Sequence, residues 1–493
     1  MRAILRGTGE LSLRRIALLL FLALAAFAEA RPEFTTVFSK QEFARRRGRV
    51  YEAIGNNSLA ILKGNEGNPA YITFRQDNNF FYLSGVEAPQ AMLLLDGRTR
   101  QATLFLPPRN ERREKSEGAL LVPDDTAREL TGIPNVLPLE AFAETVQRMV
   151  ANHTAIYTPT APQELEAVSR DLAVRYNIER VNDPWDGRSS REAHFIALLR
   201  ERYPALEVKD LTPELDRMRS MKSDEEIAVM RKSSELGALA IAEAMRSVQP
   251  GQYEYEINAL GRFVHVRNGA QGAAYYALVA SDRNAYMPHY HTGSRQMRDG
   301  DFLLMDFAPD YHYYQSDVTR MFPVNGKFSP QQRELYGFYL KCYQSIIRHI
   351  RPNVTGKLIM LEAVADMENA LKSANFSKPQ YRKGAETFVA TYRRNAETTG
   401  RLGHYVGMST HDVGPAPEVL KPGMVFTIEP AMTVPEDEIY IRMEDMLLIT
   451  ASGVENMSSM VPMEIDAIEA LMKEQGILKR YPRAIPDDAV RPK

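Results

Sequence analysis

Asp306, Asp317, His404, Glu429 and Glu444 each fall in a short apolar or glycine-bearing segment in the C-terminal half of the chain, where an unpaired charge would be costly. Carboxylates buried close together repel one another unless a cation compensates them, so one shared metal centre is the simplest explanation for all five. An imidazole with four carboxylates is a hard, oxygen-rich donor set, suited to Mn, Co, Zn or Fe rather than to ions that prefer thiolate. Four negative charges exceed what one divalent ion neutralises, which makes two ions the expected stoichiometry. Paired ions ~3.5–4 Å apart can bind a water between them, lower its pKa and clamp both oxygens of a tetrahedral intermediate, so the expected chemistry is amide hydrolysis. Any one Asp or Glu alone would be read as an ordinary surface residue. Five together in apolar segments weaken that reading greatly.

Rigid elements must hold these groups, and the sequence marks them. Phe302-Leu-Leu-Met-Asp306 and Asp317-Val-Thr-Arg-Met-Phe322 read as two strands joined by a turn around Pro309-Asp310, and Val425 to Pro430 with Ile439 to Glu444 read as a second such pair. Ser223-Asp-Glu-Glu226 is a capping box that opens a helix with Ile227, Met230, Ala238, Ile241, Met245 and Val248 on one face, stopped by Pro250-Gly251. A second helix carries Ile257, Leu260 and Val264 on a stripe. Ser329-Pro330-Gln-Gln332 starts a third, whose apolar face includes Leu335, Phe338, Tyr339, Cys342 and Ile346; Cys342 within it is a core thiol. Between Phe34 and Tyr203 strand-like runs such as Ala60 to Lys63, Asn79 to Leu83 and Ala91 to Leu95 alternate with helical stretches, the pattern of an α/β domain.

The chain has 493 residues, 44% of them hydrophobic and 25% charged, which fits a globular protein of two or three domains. A formal net charge of -2 provides no positive field for nucleic acid, and the basic runs Arg45 to Arg47 and Arg109 to Lys115 lack interleaved aromatics that could stack on bases. At the N-terminus Arg14-Arg15 precede an apolar run from Ile16 to Phe27 that ends in Ala28-Glu29-Ala30, the anatomy of a cleaved secretory signal. The expected protein is exported, periplasmic or secreted, and free of the membrane once the signal is removed. Cys342 is the only cysteine, so an intramolecular disulfide is impossible.

Leu304-Met-Asp306, Ser316-Asp-Val-Thr-Arg-Met-Phe-Pro323, Gly403-His-Tyr-Val-Gly407 with His411-Asp-Val-Gly414, Thr427-Ile-Glu-Pro430 and Ile441-Arg-Met-Glu-Asp445 occur in this order. In order and spacing they resemble the motifs of the aminopeptidase P and prolidase family, and Thr73 to Gly85 resembles the family's N-terminal domain. The resemblance implies an α/β N-terminal domain followed by an α+β "pita-bread" catalytic domain. The resulting division is a signal peptide at 1–30, an N-terminal domain at 31–205, a linker at 206–222, the catalytic domain at 223–475 and a tail at 476–493. It further implies that Asp317 and Glu444 bridge two metals, with Asp306 on one and His404 and Glu429 on the other. Glu429 is then also the general base, and His411 and His289 contact the substrate. Manganese is the metal implied, Zn, Co or Fe being alternatives, and the protein is expected to form a homodimer or homotetramer.

His291 is a competitor for the role of His289, and counting back from Asp306 favours His289. His265, His312 and His349 have no motif around them and read as structural; Arg442 reads as a support for a ligand carboxylate. Gly400 stands where many relatives carry a histidine four residues before the ligand histidine, and Ala431 replaces the glycine usual after the Glu-Pro pair. The expected function is removal of the N-terminal residue from peptides with proline second. An Xaa-Pro dipeptidase is the close alternative, and a non-catalytic peptide- or protein-binding pita-bread protein is more distant. A methionine aminopeptidase would leave the N-terminal domain unexplained, and a periplasmic binding protein would leave the five residues idle.

Overall fold

A computed structural model describes residues 31–67, 71–164 and 168–482. The signal peptide expected at 1–30 and the last part of the tail, 483–493, lie outside the described residues. The N-terminal half is built on a six-stranded sheet of β1 (Ser58–Lys63), β2 (Met92–Asp96), β3 (Gln101–Leu106), β4 (Asn135–Pro138), β5 (Ala155–Thr158) and β6 (Glu207–Asp210), in the order β4-β3-β2-β1-β5-β6. The central strands are continuous apolar runs buried on both faces, as a sheet sandwiched between helices requires. β1, β2 and β3 are antiparallel neighbours, and the outer pairs are parallel. The Lys40–Ile54 helix starts where the Ser39 side chain accepts the Glu42 amide; Asn79 to Leu83, expected as a strand, instead lies in the helix Asn78–Ser84, which Asp77 starts by accepting the Phe80 amide and Gly85 ends in the left-handed region.

The segment expected as a linker, 206–222, is instead structured. Glu207–Asp210 forms the edge strand β6 and Thr212–Ser220 forms a helix. An edge strand with exposed ends carries no apolar alternation, so its composition looks like that of a linker.

The second half opens with the Asp224–Ser247 helix, whose capping box is formed by Ser223 and Glu226 in both directions. Helices Glu254–Arg267, Pro330–His349, Gly356–Ser373 and Pro379–Thr398 pack around small antiparallel sheets. These sheets comprise β7 (Gly272–Ala273), β10 (Pro309–Tyr311) and β11 (Tyr314–Gln315); β8 (Leu278–Ser281), β9 (Phe302–Asp306) and β12 (Thr319–Pro323); β13 (Val425–Ile428), β16 (Asp445–Ile449) and β17 (Val454–Asn456); and β14 (Ala431–Val434) with β15 (Ile439–Arg442).

Two expected pairings are corrected. β9 does pair with β12, but in a register that sets Asp306 opposite Thr319, with Asp317 ahead of the strand. The turn region around Pro309 and Asp310 is itself a hairpin, β10–β11, in another sheet. The Val425–Ile428 strand pairs with Asp445–Ile449, while the hairpin is Ala431–Val434 against Ile439–Arg442. Pro430, which has no amide hydrogen to give to a ladder, interrupts one strand and Met443 the other, so each side changes partner there.

Arg320 locks the junction behind this irregularity. Fully buried, it donates to the carbonyls of Thr319 and Glu444 (both 2.9 Å) and to Asp445 Oδ1 (2.6 Å). Asp445 also accepts from Tyr343 (2.8 Å) and Ser458 (2.6 Å). Asp445→Ala therefore leaves a buried guanidinium uncompensated, and stability should fall by about 3–5 kcal/mol. Denaturant unfolding would measure this; a loss below about 1 kcal/mol would show that Arg320 is held by its carbonyl partners alone.

Candidate metal centre

The interruptions in the strands place the acids. Asp306 ends β9 and Asp317 lies two residues ahead of β12. Glu429 follows β13, and Glu444 sits between β15 and β16, where Thr319 and Glu444 exchange backbone hydrogen bonds (3.2 and 3.1 Å). His404 comes from a loop lying on β13, where its carbonyl accepts the Thr427 amide (2.9 Å). That approach explains Gly403: a Cβ there would collide with the Thr427 carbonyl.

These five side chains converge. Possible donor atoms of Asp306, Asp317 and Glu444 lie within 4.8 Å of one another, as do those of His404, Glu429 and Glu444. Glu444 thus belongs to both groups. Asp317 joins His404 and His411 in a third such group. His404 Nε2 is 3.3 Å from Glu429, 3.7 Å from Asp317 and 3.7 Å from Glu444.

The orientation of His404 is set locally. Its Nδ1 lies 3.0 Å from the Tyr405 carbonyl, which can only accept, so Nδ1 carries the hydrogen and Nε2 faces the acids. Buried Nε2 and buried Glu444 Oε1 have no hydrogen-bond partner of their own. Unsatisfied buried donor atoms of this kind, aimed at one another within an acidic cluster, fit a cation.

The electrostatics agree. Burial, with Glu444 and Asp306 close by, pushes Asp317 well above the usual carboxylate range, and burial with Glu429 nearby lifts Glu444 to about 7. Glu429 goes the other way: burial alone would raise it, but adjacent His404, 3.3 Å away, and the charge of Arg442 bring it down to about 2. For His404 burial favours the neutral ring, yet Glu429, Glu444 and Asp317 outweigh it and hold the pKa well above that of a free histidine. Without metal, protons take the place of the missing positive charge.

Arg442 is bound to Asp306 and donates to Glu429 Oε2 at 3.1 Å, so it supports two acids at once. Thr319 Oγ1 donates to Glu444 (2.9 Å). His411 stacks on His404 with ring centroids 3.9 Å apart; burial first, then the charge on His404, lowers it to about 4, so it is neutral at physiological pH. His289 is exposed on a coil, near enough for its charge to act on His411. His291 stacks on Tyr276 instead. His265 is buried against Phe307, His349 faces Asp366, and His312 sits in a turn with positive φ. Cys342 is buried and its thiol is pushed up to about 12 by that burial, which keeps it protonated.

Several participants were not singled out from sequence. The Tyr275 hydroxyl reaches Asp306 (2.5 Å) and Asp317 (2.7 Å). Tyr339, expected only as part of a core face, donates to the Pro430 carbonyl (2.5 Å) and accepts the Met443 amide (2.9 Å), so one phenol ties both strand interruptions together. Asp412, next to His411, is held by Arg219 (2.6 Å) and Lys222 (2.9 Å), and Arg219 is in turn bound to Glu164 of the N-terminal half (3.1 Å). A charged residue beside a motif histidine was the available signal for Asp412; tyrosines inside apolar runs give none.

The Gly400 position also has a local cause. Thr399 and Gly400 amides both return to the Asn395 carbonyl (3.0 and 2.9 Å), and Gly400 has a φ of +59°, so it closes the Pro379–Thr398 helix in the left-handed region that a histidine would adopt only with strain.

Comparison with known proteins matches this architecture. Residues 43–157 match the model for the aminopeptidase P N-terminal domain and residues 228–451 that for metallopeptidase family M24. The chain is 30% identical over 452 residues to an Xaa-Pro aminopeptidase of Haemophilus influenzae, covering 88% of this chain and 97% of that one. The Xaa-Pro aminopeptidase of Escherichia coli K12 is likewise 30% identical, with coverage of 88% and 98%. Among solved structures, a putative aminopeptidase P from Bacillus anthracis superposes with a TM-score of 0.74 at 25% identity, covering 89% of this chain and all of that one. The zinc-substituted E. coli aminopeptidase P in complex with product gives 0.72 at 29%, covering 88% and 98%. With both family domains matched in sequence and Xaa-Pro aminopeptidases 30% identical along nearly their whole length, the chain belongs to the aminopeptidase P branch of metallopeptidase family M24.

Proposed function

We propose that this protein removes the N-terminal residue from peptides with proline in second position, using two divalent ions, most simply Mn²⁺, held by Asp306, Asp317, His404, Glu429 and Glu444. The observation that carries the proposal is the convergence of these side chains around unpartnered His404 Nε2 and Glu444 Oε1. Curated relatives named Xaa-Pro aminopeptidase, matched along nearly their whole length, support the substrate class. In this reading Asp317 and Glu444 would be shared between the ions, with Asp306 on one and His404 and Glu429 on the other. Bound there, the ions would supply a nucleophile at neutral pH and stabilise charge developing on the scissile carbonyl.

The chain's own residues do the rest. Glu429 takes the proton of the attacking water and passes it to the departing proline nitrogen. His411, stacked beside His404, would present a ring N–H to the substrate carbonyl, with His289 of the nearby exposed turn as the second substrate-contacting histidine. Arg442 keeps Asp306 and Glu429 apart and oriented. Proline peptides need such a dedicated site because the tertiary amide has no N–H for general peptidases to bind. Export rests on the signal-like residues 1–30, and assembly as a homodimer or homotetramer on the family resemblance. No helix among the described residues is long and apolar enough to cross a membrane.

The decisive assay incubates the Mn²⁺-loaded mature chain with Xaa-Pro, Xaa-Pro-Yaa and Xaa-Ala-Yaa peptides and identifies products by mass. Release of Xaa from Xaa-Pro-Yaa is expected; cleavage of the dipeptide alone would favour a dipeptidase, and no cleavage a binding protein. Glu429→Gln should lower kcat by about 10²–10⁴-fold with an unchanged circular dichroism spectrum, whereas a loss under about tenfold would remove Glu429 from proton transfer. Metal uptake should weaken as pH falls through neutrality. His404, Asp317 and Glu444 have raised pKa values and hold protons at that pH, and these protons must leave when a cation enters. Calorimetric titration with Mn²⁺ in buffers of different ionisation enthalpy would detect the released protons; uptake without release would contradict the assigned ligands.

A further inference from the structure

A cavity of about 270 Å³ opens directly beside Glu429, Pro430 and Ala431. Phe388 and Tyr392 of the Pro379–Thr398 helix, with Met360 and Leu402, give it an apolar wall, and Arg401 stands at its edge. Its volume lies just under the ~300–1,000 Å³ typical of sites for drug-sized ligands, which suits one or two residues rather than a long peptide.

Arg401 is placed there by the helix end. With Gly400 in the left-handed region closing the helix, the next side chain turns back along the loop, and its Nε donates to the Gly403 carbonyl at 2.9 Å. That bond fixes the stem of the guanidinium. Among the described residues Arg401 makes no ion pair with any carboxylate, unlike Arg442 nearby, so its terminal nitrogens are available to a ligand. Its charge also acts on His411, which puts it within electrostatic reach of the centre.

Two arguments decide which part of a peptide belongs here. Glu429, as the group that returns a proton to the leaving nitrogen, must lie beside the proline nitrogen, so a cavity opening onto Glu429 receives the leaving portion. A free guanidinium also repels the substrate's N-terminal ammonium and attracts an anion. Resting on the proposed peptidase reading, we propose that this cavity is the leaving-group subsite and that Arg401 is a specificity residue which binds a carboxylate of the departing peptide. That carboxylate is either the C-terminus of a short substrate or an acidic side chain following proline. The apolar wall takes the proline ring, and the planar guanidinium suits two-point recognition of a carboxylate.

The test compares kcat/KM of the Mn²⁺-loaded mature protein for Xaa-Pro-Yaa as free acid and as C-terminal amide, and for Xaa-Pro-Asp-amide against Xaa-Pro-Asn-amide. The native protein should prefer the carboxylate by roughly 5–20-fold, mainly through KM, with the preference shrinking as salt rises. Arg401→Gln should bring the acid-to-amide ratio close to one, and Arg401→Lys should restore part of it. The pair that responds identifies whether the terminal or the side-chain carboxylate is read. An unchanged ratio in Arg401→Gln overturns the assignment. Calorimetric binding of a Pro-Yaa dipeptide acid against its amide gives the same comparison without turnover. Failure of hydrolysis by the native protein would therefore count against the peptidase reading, while equal binding of acid and amide would count against Arg401.

Discussion

Mutual repulsion among Asp306, Asp317, Glu429 and Glu444 is the constraint around which the catalytic half is arranged. Three of them are buried almost completely, and the fixed positive charge in contact with the cluster is that of Arg442, bound to two of the four. An apolar core of the same volume would be more stable, because charged groups removed from water rarely recover their solvation from one another. The fold tolerates the arrangement by tying down the backbone on either side of it. Thr319 and Glu444 exchange main-chain hydrogen bonds, Arg320 clasps both of their carbonyls, and Asp445 compensates Arg320 from behind. The shortage of positive charge in front of that scaffold is what makes the site a receptor for cations.

The acids occupy defects in the sheets. Glu429 precedes the proline that ends one ladder, and Glu444 follows the residue that ends another. A continuous strand would alternate its side chains between faces, whereas a change of partner redirects a chosen side chain. The freed backbone groups need other partners, and Tyr339 serves the two interruptions with a single hydroxyl. It is a helix residue whose ring belongs to the core and whose tip does the work of a missing ladder bond.

The ligand candidates were legible because charge inside an apolar run is conspicuous, and the helix starts because capping boxes are local. Strand partners were less so. Alternation reveals which side chains share a face but not which strand lies alongside, and the interruptions at Pro430 and Met443 exchange the partners. β6 was hidden by its polar edge composition, and Tyr275 and Tyr339 by looking like ordinary core aromatics. The Arg219–Asp412 pair spans 193 positions, a separation at which a single sequence carries no pairing signal.

That pair has a consequence for how the two halves relate. Arg219 lies on the helix following β6, fastened to Glu164 and Asn79, while its far end grips the acid adjoining His411; the backbone of Ser169 lies alongside His411 as well. Phe81 stacks on Tyr313 at 3.7 Å across the same boundary, and the apolar cluster continues unbroken from Phe43 and Phe81 to Met230, Val406 and Met446. A gene fragment encoding the metal-bearing half alone would therefore release its histidine loop from its mooring and expose one wall of its own interior to water. The first half is less an accessory than a buttress for the loop that carries His411.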